Sequence, residues 1–110
     1  MEGLVKGDVV VLPFPFSDLT KAKRRPALVL SVLPGEDVIL CQITSAETRD
    51  ADAVPLNASD FAEGTLSRPS HVRPNRIFTA ARQLVLYRAG RLTGPKLLEV
   101  VSKAVSIIQR

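Results

Sequence analysis

Two strand-sized apolar runs, joined by a short turn, constrain the fold of this chain more than any other feature. The first run, RPALVLSVL, extends from Arg25 to Leu33, and the second, VILCQI, extends from Val38 to Ile43. The PGED segment between them is typical of a turn, so the two runs predict an antiparallel hairpin. Pro26 is compatible with this prediction because proline is tolerated at the start of a strand.

The flanking segments predict further strands. GDVVVL predicts a first strand from Asp8 to Leu12, and the proline-rich then polar segment Pro13 to Lys23 predicts a loop. A short strand is expected at Ala53 to Leu56 and a short strand pair at Ser70 to Thr79, interrupted by Pro74. The segment AARQLVLYRAGRLT fits either a short helix or a strand.

The C-terminal segment predicts an amphipathic helix. Thr93 suits the N-cap and Pro95 the first turn. The apolar residues that fall on one stripe are Leu97, Leu98, Val101, Ala104, Val105 and Ile108. We therefore expect a single domain over residues 1–110 of the α+β class, mainly β: a curved antiparallel sheet or barrel with a C-terminal helix.

Composition and charge limit the classes of protein to which this chain can belong and the partners that it can bind. With 45% hydrophobic residues the chain can build a core, no apolar run is long enough to span a membrane, and no signal peptide is evident. We expect a cytoplasmic protein without a membrane partner, and the single Cys41 as a buried hydrophobe. Residues 1–25 carry five Lys/Arg against three Asp/Glu, residues 26–66 one against seven, and residues 67–110 nine against one. If the fold joins the two basic segments, they form a surface suited to nucleic acid; ordinary solvation is the alternative.

Several chemistries lack the residues that they need. One histidine and one cysteine cannot build a multi-His or Cys-rich metal site, and neither a glycine-rich phosphate loop nor a GxSxG motif is present. Asp50 and Asp52 lie in a polar loop and are expected to be solvated. We therefore expect no metal and no other cofactor, and an enzyme on this chain would rely on arginines and hydroxyls.

Four blocks in order, KGDVVVLPFPFSDLTKAKRRPALVLS, VILCQITS, SHVRPNRIFTA and GRLTGPKLLEVVSKAV, resemble the MazF/PemK (Kid) family of type II toxin–antitoxin toxins. The resemblance runs from about Lys6 to Ile108. It implies an SH3-like β-barrel that forms a homodimer and is neutralised by an antitoxin. It also implies metal-independent cleavage of single-stranded RNA at short sequences, by 2′-OH attack that leaves 2′,3′-cyclic phosphate and 5′-OH ends.

The resemblance implies roles for particular residues. Arg25 matches the arginine that contacts the scissile phosphate, and Thr44 and Ser45 match a hydroxyl pair. Arg73 matches a second arginine that some members use as a proton donor. The loop FPFSDLTKAK matches a segment that shapes RNA and antitoxin binding.

The hairpin geometry supports part of this reading independently. Arg25 begins one strand and Thr44 ends its partner, so antiparallel pairing brings both to the same sheet edge. A guanidinium there can donate paired hydrogen bonds to a pentavalent phosphate. The chain departs from the family at Asn75, where some members carry an aspartate that can act as general base. His71 is our hypothesis for its replacement, because imidazole changes protonation near neutral pH; a plain surface histidine is the alternative.

The remaining candidates would bind substrate. One of Phe14 and Phe16 is expected in the core and the other in the loop, where an aromatic ring can stack on a base, and Phe16 is our substrate-binding candidate. Arg24 would attract phosphates, and Arg76 would extend that surface. Two other functions stay open: a non-enzymatic toxin of the gyrase-poisoning CcdB-like group, and a binding module that has lost catalysis.

Overall fold

The computed structural model describes residues 3–14, 23–46 and 48–110. The strands and the helix, numbered in chain order, are β1 Asp8–Phe14, β2 Lys23–Val32, β3 Asp37–Thr44, β4 Val54–Leu56, β5 Phe61–Gly64, β6 Ser70–Ala81, β7 Tyr87–Leu92 and α1 Gly94–Gln109. Two short 3₁₀ turns, at Ala58–Asp60 and Arg82–Leu84, precede β5 and β7.

The strands form one curled antiparallel sheet in the order β4-β6-β3-β2-β1-β7-β5. The predicted hairpin is confirmed, because β2 and β3 pair antiparallel across the PGED turn. The predicted class, a mainly β antiparallel barrel-like fold with a C-terminal helix, is also confirmed.

Both sides of the sheet are buried, which explains why its central strands are almost continuously apolar. On the side that α1 covers, called here the helix side, Val100 of the helix packs with Val9, Leu28 and Ile43. On the opposite side, called the far side, Leu12 and Leu40 belong to a second core cluster. Cys41 is buried on the helix side, as predicted.

One prediction for the second half of the chain is wrong, and an open one is resolved. Ser70–Ala81 is one long strand rather than a strand pair, because a register shift opposite Cys41 and Gln42 accommodates the residues around Pro74 without ending the strand. The ambiguous segment after it combines both alternatives, a 3₁₀ turn and then β7.

The apolar stripe of α1 is narrower than predicted. Thr93 caps the helix as expected, since its hydroxyl accepts a hydrogen bond from the Lys96 amide at 3.3 Å. However, Leu98 and Ile108 are 66% and 72% exposed, and Val100, which the stripe omitted, is fully buried. The buried face is centred on Val100 and Ala104 because only this line of the helix meets the sheet. No helix in the described part of the chain is long and apolar enough to cross a membrane.

Candidate active site at one end of the sheet

The strand register brings three predicted site residues into one row on the far side of the sheet. Arg25 lies opposite Leu12 of β1, and continuing the β2–β3 register by two residues places Arg25 opposite Thr44. Thr44 in turn lies opposite His71 of β6. Directly opposite side chains share a face, and neighbouring strands lie about 4.8 Å apart, so the three side chains emerge within about 10 Å.

The polar groups of this row are poorly satisfied by the protein itself. Arg25 Nε and His71 Nδ1 are buried and have no hydrogen-bond partner among the described residues. The Thr44 hydroxyl accepts a hydrogen bond from the Ala46 amide at 3.2 Å, and its own proton is available for a ligand. A buried donor without a partner is costly unless a ligand satisfies it, so this row is suited to bind a polar, anionic group.

Arg73 belongs to the next row on the same side, opposite Gln42. Its Nε donates to Asp50 Oδ2 at 3.2 Å, and the Asp50 side chain is only 9% exposed. Burial acts to raise the pKa of Asp50, but hydrogen bonds from the Asp52 amide, Asn75 and Arg73 outweigh it and hold the pKa below its ordinary value. Asp50 therefore stays ionised at neutral pH and orients Arg73 and Asn75.

The expectation that Asp50 and Asp52 are solvated is wrong. Asp52 forms ion pairs with Arg110 at 2.6 Å and with Lys103 at 3.6 Å, which joins the 50s loop to the end of α1. The hydrogen bond from Arg110 is the main reason why the pKa of Asp52 is lowered. Partners that lie so far away in sequence cannot be identified from the loop itself.

Arg24 and Ser45 face away from their neighbours Arg25 and Thr44. Arg24 lies opposite Pro13 and, because strand residues alternate, on the helix side, while Ser45 directly follows Thr44, the last residue of β3. The predicted Thr44–Ser45 hydroxyl pair is thus divided, since Thr44 belongs to the far-side row and Ser45 lines the helix-side cavity. Arg24 and Ser45 line a cavity of about 400 Å³ on the helix side, which Arg25 also reaches.

Ion pairing separates the basic residues into two groups. Arg73, Arg88, Lys96 and Arg110 pair with acidic residues of the middle segment. Within the described part of the chain, the arginines that form no ion pair are Arg24, Arg25, Arg49, Arg68, Arg76 and Arg82. Much of the basic C-terminal segment is therefore neutralised, and three of the unpaired arginines, Arg24, Arg25 and Arg68, line one cavity at the end of the sheet.

An apolar cavity of about 400 Å³ adjoins the far-side row. Leu12, Phe14, Gln42 and Arg76 are among its lining residues. Phe14 is the core member of the phenylalanine pair: it is 5% exposed and meets Phe78 edge to face, with 4.8 Å between ring centroids. Phe16 lies outside the described residues.

Four residues of this region were not identified from the sequence as site residues: Asp50, Gln42, Arg68 and Tyr87. Gln42 gave a signal that could have been used, since a polar residue inside the apolar run VILCQIT is unusual. The other three depend on contacts between distant segments.

Residues 3–14, 23–46 and 48–110 contain no cluster of three or more His, Cys, Asp or Glu side chains that could hold a metal ion. Burial raises the pKa of Cys41 to about 12, so its thiol is not a nucleophile at neutral pH.

One family of known proteins matches nearly the whole chain. The family described as PemK-like, MazF-like toxin of type II toxin–antitoxin system matches residues 5–108. None of the curated proteins compared with the chain matches it in sequence.

Solved structures share the fold at low sequence identity. An endoribonuclease in complex with its cognate antitoxin, from Mycobacterial species, superposes with a TM-score of 0.75 at 15% identity, over 99% of this chain and 96% of that one. The MazE–MazF complex (Form III) of Deinococcus radiodurans gives 0.73 at 24% identity, over 94% of each chain. The Mycobacterium tuberculosis toxin MazF-mt6 gives 0.71 at 19% identity, over 93% of this chain and 96% of that one.

Proposed function

Because this chain belongs to the PemK-like, MazF-like toxins of type II toxin–antitoxin systems, we propose that it is a single-domain endoribonuclease toxin. It cuts single-stranded mRNA at short specific sequences in the cytoplasm, without a metal ion. The observation that carries this proposal is the row Arg25, Thr44 and His71 on one side of the sheet end, with Arg73 in the next row. It supplies positive charge, a hydroxyl and an imidazole side by side, which are the groups that phosphodiester transfer needs.

The proposed reaction is attack of the ribose 2′-oxygen on the neighbouring phosphorus. The 2′-O–P bond forms and the P–O5′ bond breaks, which leaves a 2′,3′-cyclic phosphate and a 5′-OH. Arg25 stabilises the dianionic intermediate through its guanidinium donors, and Thr44 donates to a phosphate oxygen. His71 accepts the 2′-OH proton, because Asn75 cannot. Arg73, held by Asp50, stabilises the charge on the leaving 5′-oxygen, which takes a proton from water.

The protein is further proposed to act as a homodimer that a cognate antitoxin neutralises. Two exposed apolar side chains that line the far-side cavity support a protein contact there: Ile77 and Leu84 are 39% and 50% exposed. Exposed apolar groups beside an apolar cavity are typical of an interface. An antitoxin segment that filled this region would lie next to the Arg25 row and block access to it.

The test is incubation of the purified protein with a long single-stranded RNA in EDTA, with the cut ends mapped. We expect discrete cuts with 5′-OH ends and a loss of about 10²–10³ in rate for Arg25→Ala, as for removal of an oxyanion donor. His71→Ala should change the pH–rate profile; an unaltered profile would remove His71 from the mechanism. A folded wild type that cuts no RNA would refute the nuclease and favour a binding module.

A further inference from the structure

We propose that the helix-side cavity at the sheet end binds the nucleotide next to the cleaved bond, a step that rests on the proposed function. This cavity, called here the flanking cleft, is lined by Arg24, Ser45, Ser67, Arg68 and Tyr87, among others. Its volume of about 400 Å³ is within the range of about 300–1,000 Å³ found for small-ligand sites. A single nucleotide is a ligand of this size.

The charge of the flanking cleft is suited to a phosphate. Arg24, Arg25 and Arg68 line it, and none of its lining residues is acidic. Among the described residues these three arginines form no ion pair, whereas Arg73, Arg88, Arg91 and Arg110 do. Three unpaired guanidinium groups therefore line one cavity, and a phosphate diester can accept hydrogen bonds from two of them.

The remaining lining residues are suited to a ribose and a base. Tyr87 lies opposite Val11 on β1, and its side chain is 49% exposed at the cleft wall. An exposed aromatic face binds an unpaired base by stacking, whatever the base. The exposed hydroxyls of Ser45 and Ser67 can donate to, or accept from, a ribose.

Arg25 connects the flanking cleft to the proposed reaction centre. It belongs to the far-side row with Thr44, yet it also lines the cleft on the helix side. An RNA chain with its scissile phosphate on Arg25 can pass over the strand ends and place its next nucleotide on Arg24 and Arg68. An acidic peptide would use the arginines alone, whereas a nucleotide uses the arginines, the hydroxyls and the ring, so the cleft favours RNA.

The experiment measures RNA binding separately from cleavage. The probe is a fluorescein-labelled pool of random single-stranded 2′-O-methyl RNA, about ten nucleotides long, within the span that one small barrel covers. It lacks the free 2′-OH that the proposed reaction requires. Fluorescence anisotropy at several salt concentrations compares the wild type with Arg68→Ala, Tyr87→Ala and Tyr87→Phe. Arg49→Ala is the matched control, because Arg49 is exposed, forms no ion pair among the described residues and does not line the cleft.

We expect Arg68→Ala to weaken binding and to reduce the slope of log affinity against log salt by about 0.7, the value for one phosphate contact on a single strand. Tyr87→Ala should weaken binding about tenfold with the slope unchanged, and Tyr87→Phe should bind like the wild type because stacking needs only the ring. Arg49→Ala should leave the salt slope unchanged.

Two results would overturn the inference. One is an affinity and salt slope for Arg68→Ala equal to those of Arg49→Ala. The other is Arg68-dependent binding of a labelled Glu- and Leu-rich peptide that is tighter than RNA binding, which would assign the cleft to an acidic protein segment. A wild type that cuts no RNA, yet binds the probe through Arg68, would refute the reaction and retain the cleft. A wild type that cuts RNA but binds it independently of Arg68 would refute the cleft alone.

Discussion

Replacing Asp8 by asparagine should destabilise the fold far more than replacing Glu63 by glutamine, although both carboxylates contact Arg88. Asp8 is fully buried at the start of β1. Its Oδ1 accepts from Arg91 Nε at 2.9 Å and lies 3.7 Å from Arg88 Nη1, while its Oδ2 accepts from the Val5 amide at 2.8 Å. Glu63 is 53% exposed and meets Arg88 at 2.9 Å.

The size of the stability loss follows from which hydrogen bonds of the Asp8 carboxylate an asparagine can still make. Its single oxygen can serve only one of the two sets of donors, so its NH₂ group must face either the Val5 amide or Arg91, and the ion pair is lost. Breaking a buried pair on one side costs about 3–5 kcal/mol. Because both arginines remain partly exposed and can be rehydrated, we expect Asp8→Asn to lower the free energy of unfolding by about 3 kcal/mol, at the lower end of this range. A domain with about 5–15 kcal/mol of stability stays folded after this loss, with its melting temperature lowered by roughly 12 °C.

Urea titration and thermal melting followed by circular dichroism measure both variants. Glu63→Gln should melt close to the wild type, because a solvent-exposed ion pair contributes little. Equal urea and thermal midpoints for Asp8→Asn and Glu63→Gln would refute the conclusion that burial decides how much each carboxylate contributes to stability. The result would also show whether Asp8, the aspartate of the GD dipeptide that opens the first strand, stabilises the fold.

Three further predictions follow. Gly90→Ala should lower stability by about 2 kcal/mol, because a Cβ there would collide with the Glu63 carbonyl and the Phe61 ring, whereas Gly94→Ala, with open space, should not; urea midpoints compare them. The high pKa of Cys41, about 12, predicts that iodoacetamide alkylates the folded protein at pH 8 far more slowly than the urea-unfolded chain, by mass spectrometry. The pKa of Asp50 is lower in the folded protein than its ordinary value of 3.8. The ionised carboxylate therefore stabilises the fold above pH 3.8, and this stabilisation is lost as the pH falls through the lower pKa of the folded state. The stability difference between wild type and Asp50→Asn should thus be constant from about pH 5 to 8 and shrink under stronger acid.

The family pattern predicts residue roles that the structure arranges differently. Thr44 and Ser45 are adjacent in QITS and matched a hydroxyl pair, but Thr44 lies in the far-side row, whereas Ser45, just after the end of β3, lines the flanking cleft. Similarly, Asn75 marks a missing carboxylate in sequence, while Asp50 supplies one beside Arg73 from a different loop. The sequence could not reveal this because a loop carboxylate finds its partner only when the chain closes.

The hairpin, the first strand and the capped C-terminal helix could be predicted from local sequence patterns. Each depends on turn residues, periodicity or a cap within a few neighbours in sequence, and the position of Arg25 and Thr44 at one sheet edge follows directly from the hairpin. Which arginines remain free, in contrast, depends on contacts that form when the whole chain folds. Asp50 neutralises Arg73 across 23 residues and Asp52 neutralises Arg110 across 58, while Arg24 and Arg68 are left unpaired in one cleft. Counts of charged residues along the sequence do not show which arginines are paired, because ion pairing depends on which side of the sheet and which loop each side chain reaches.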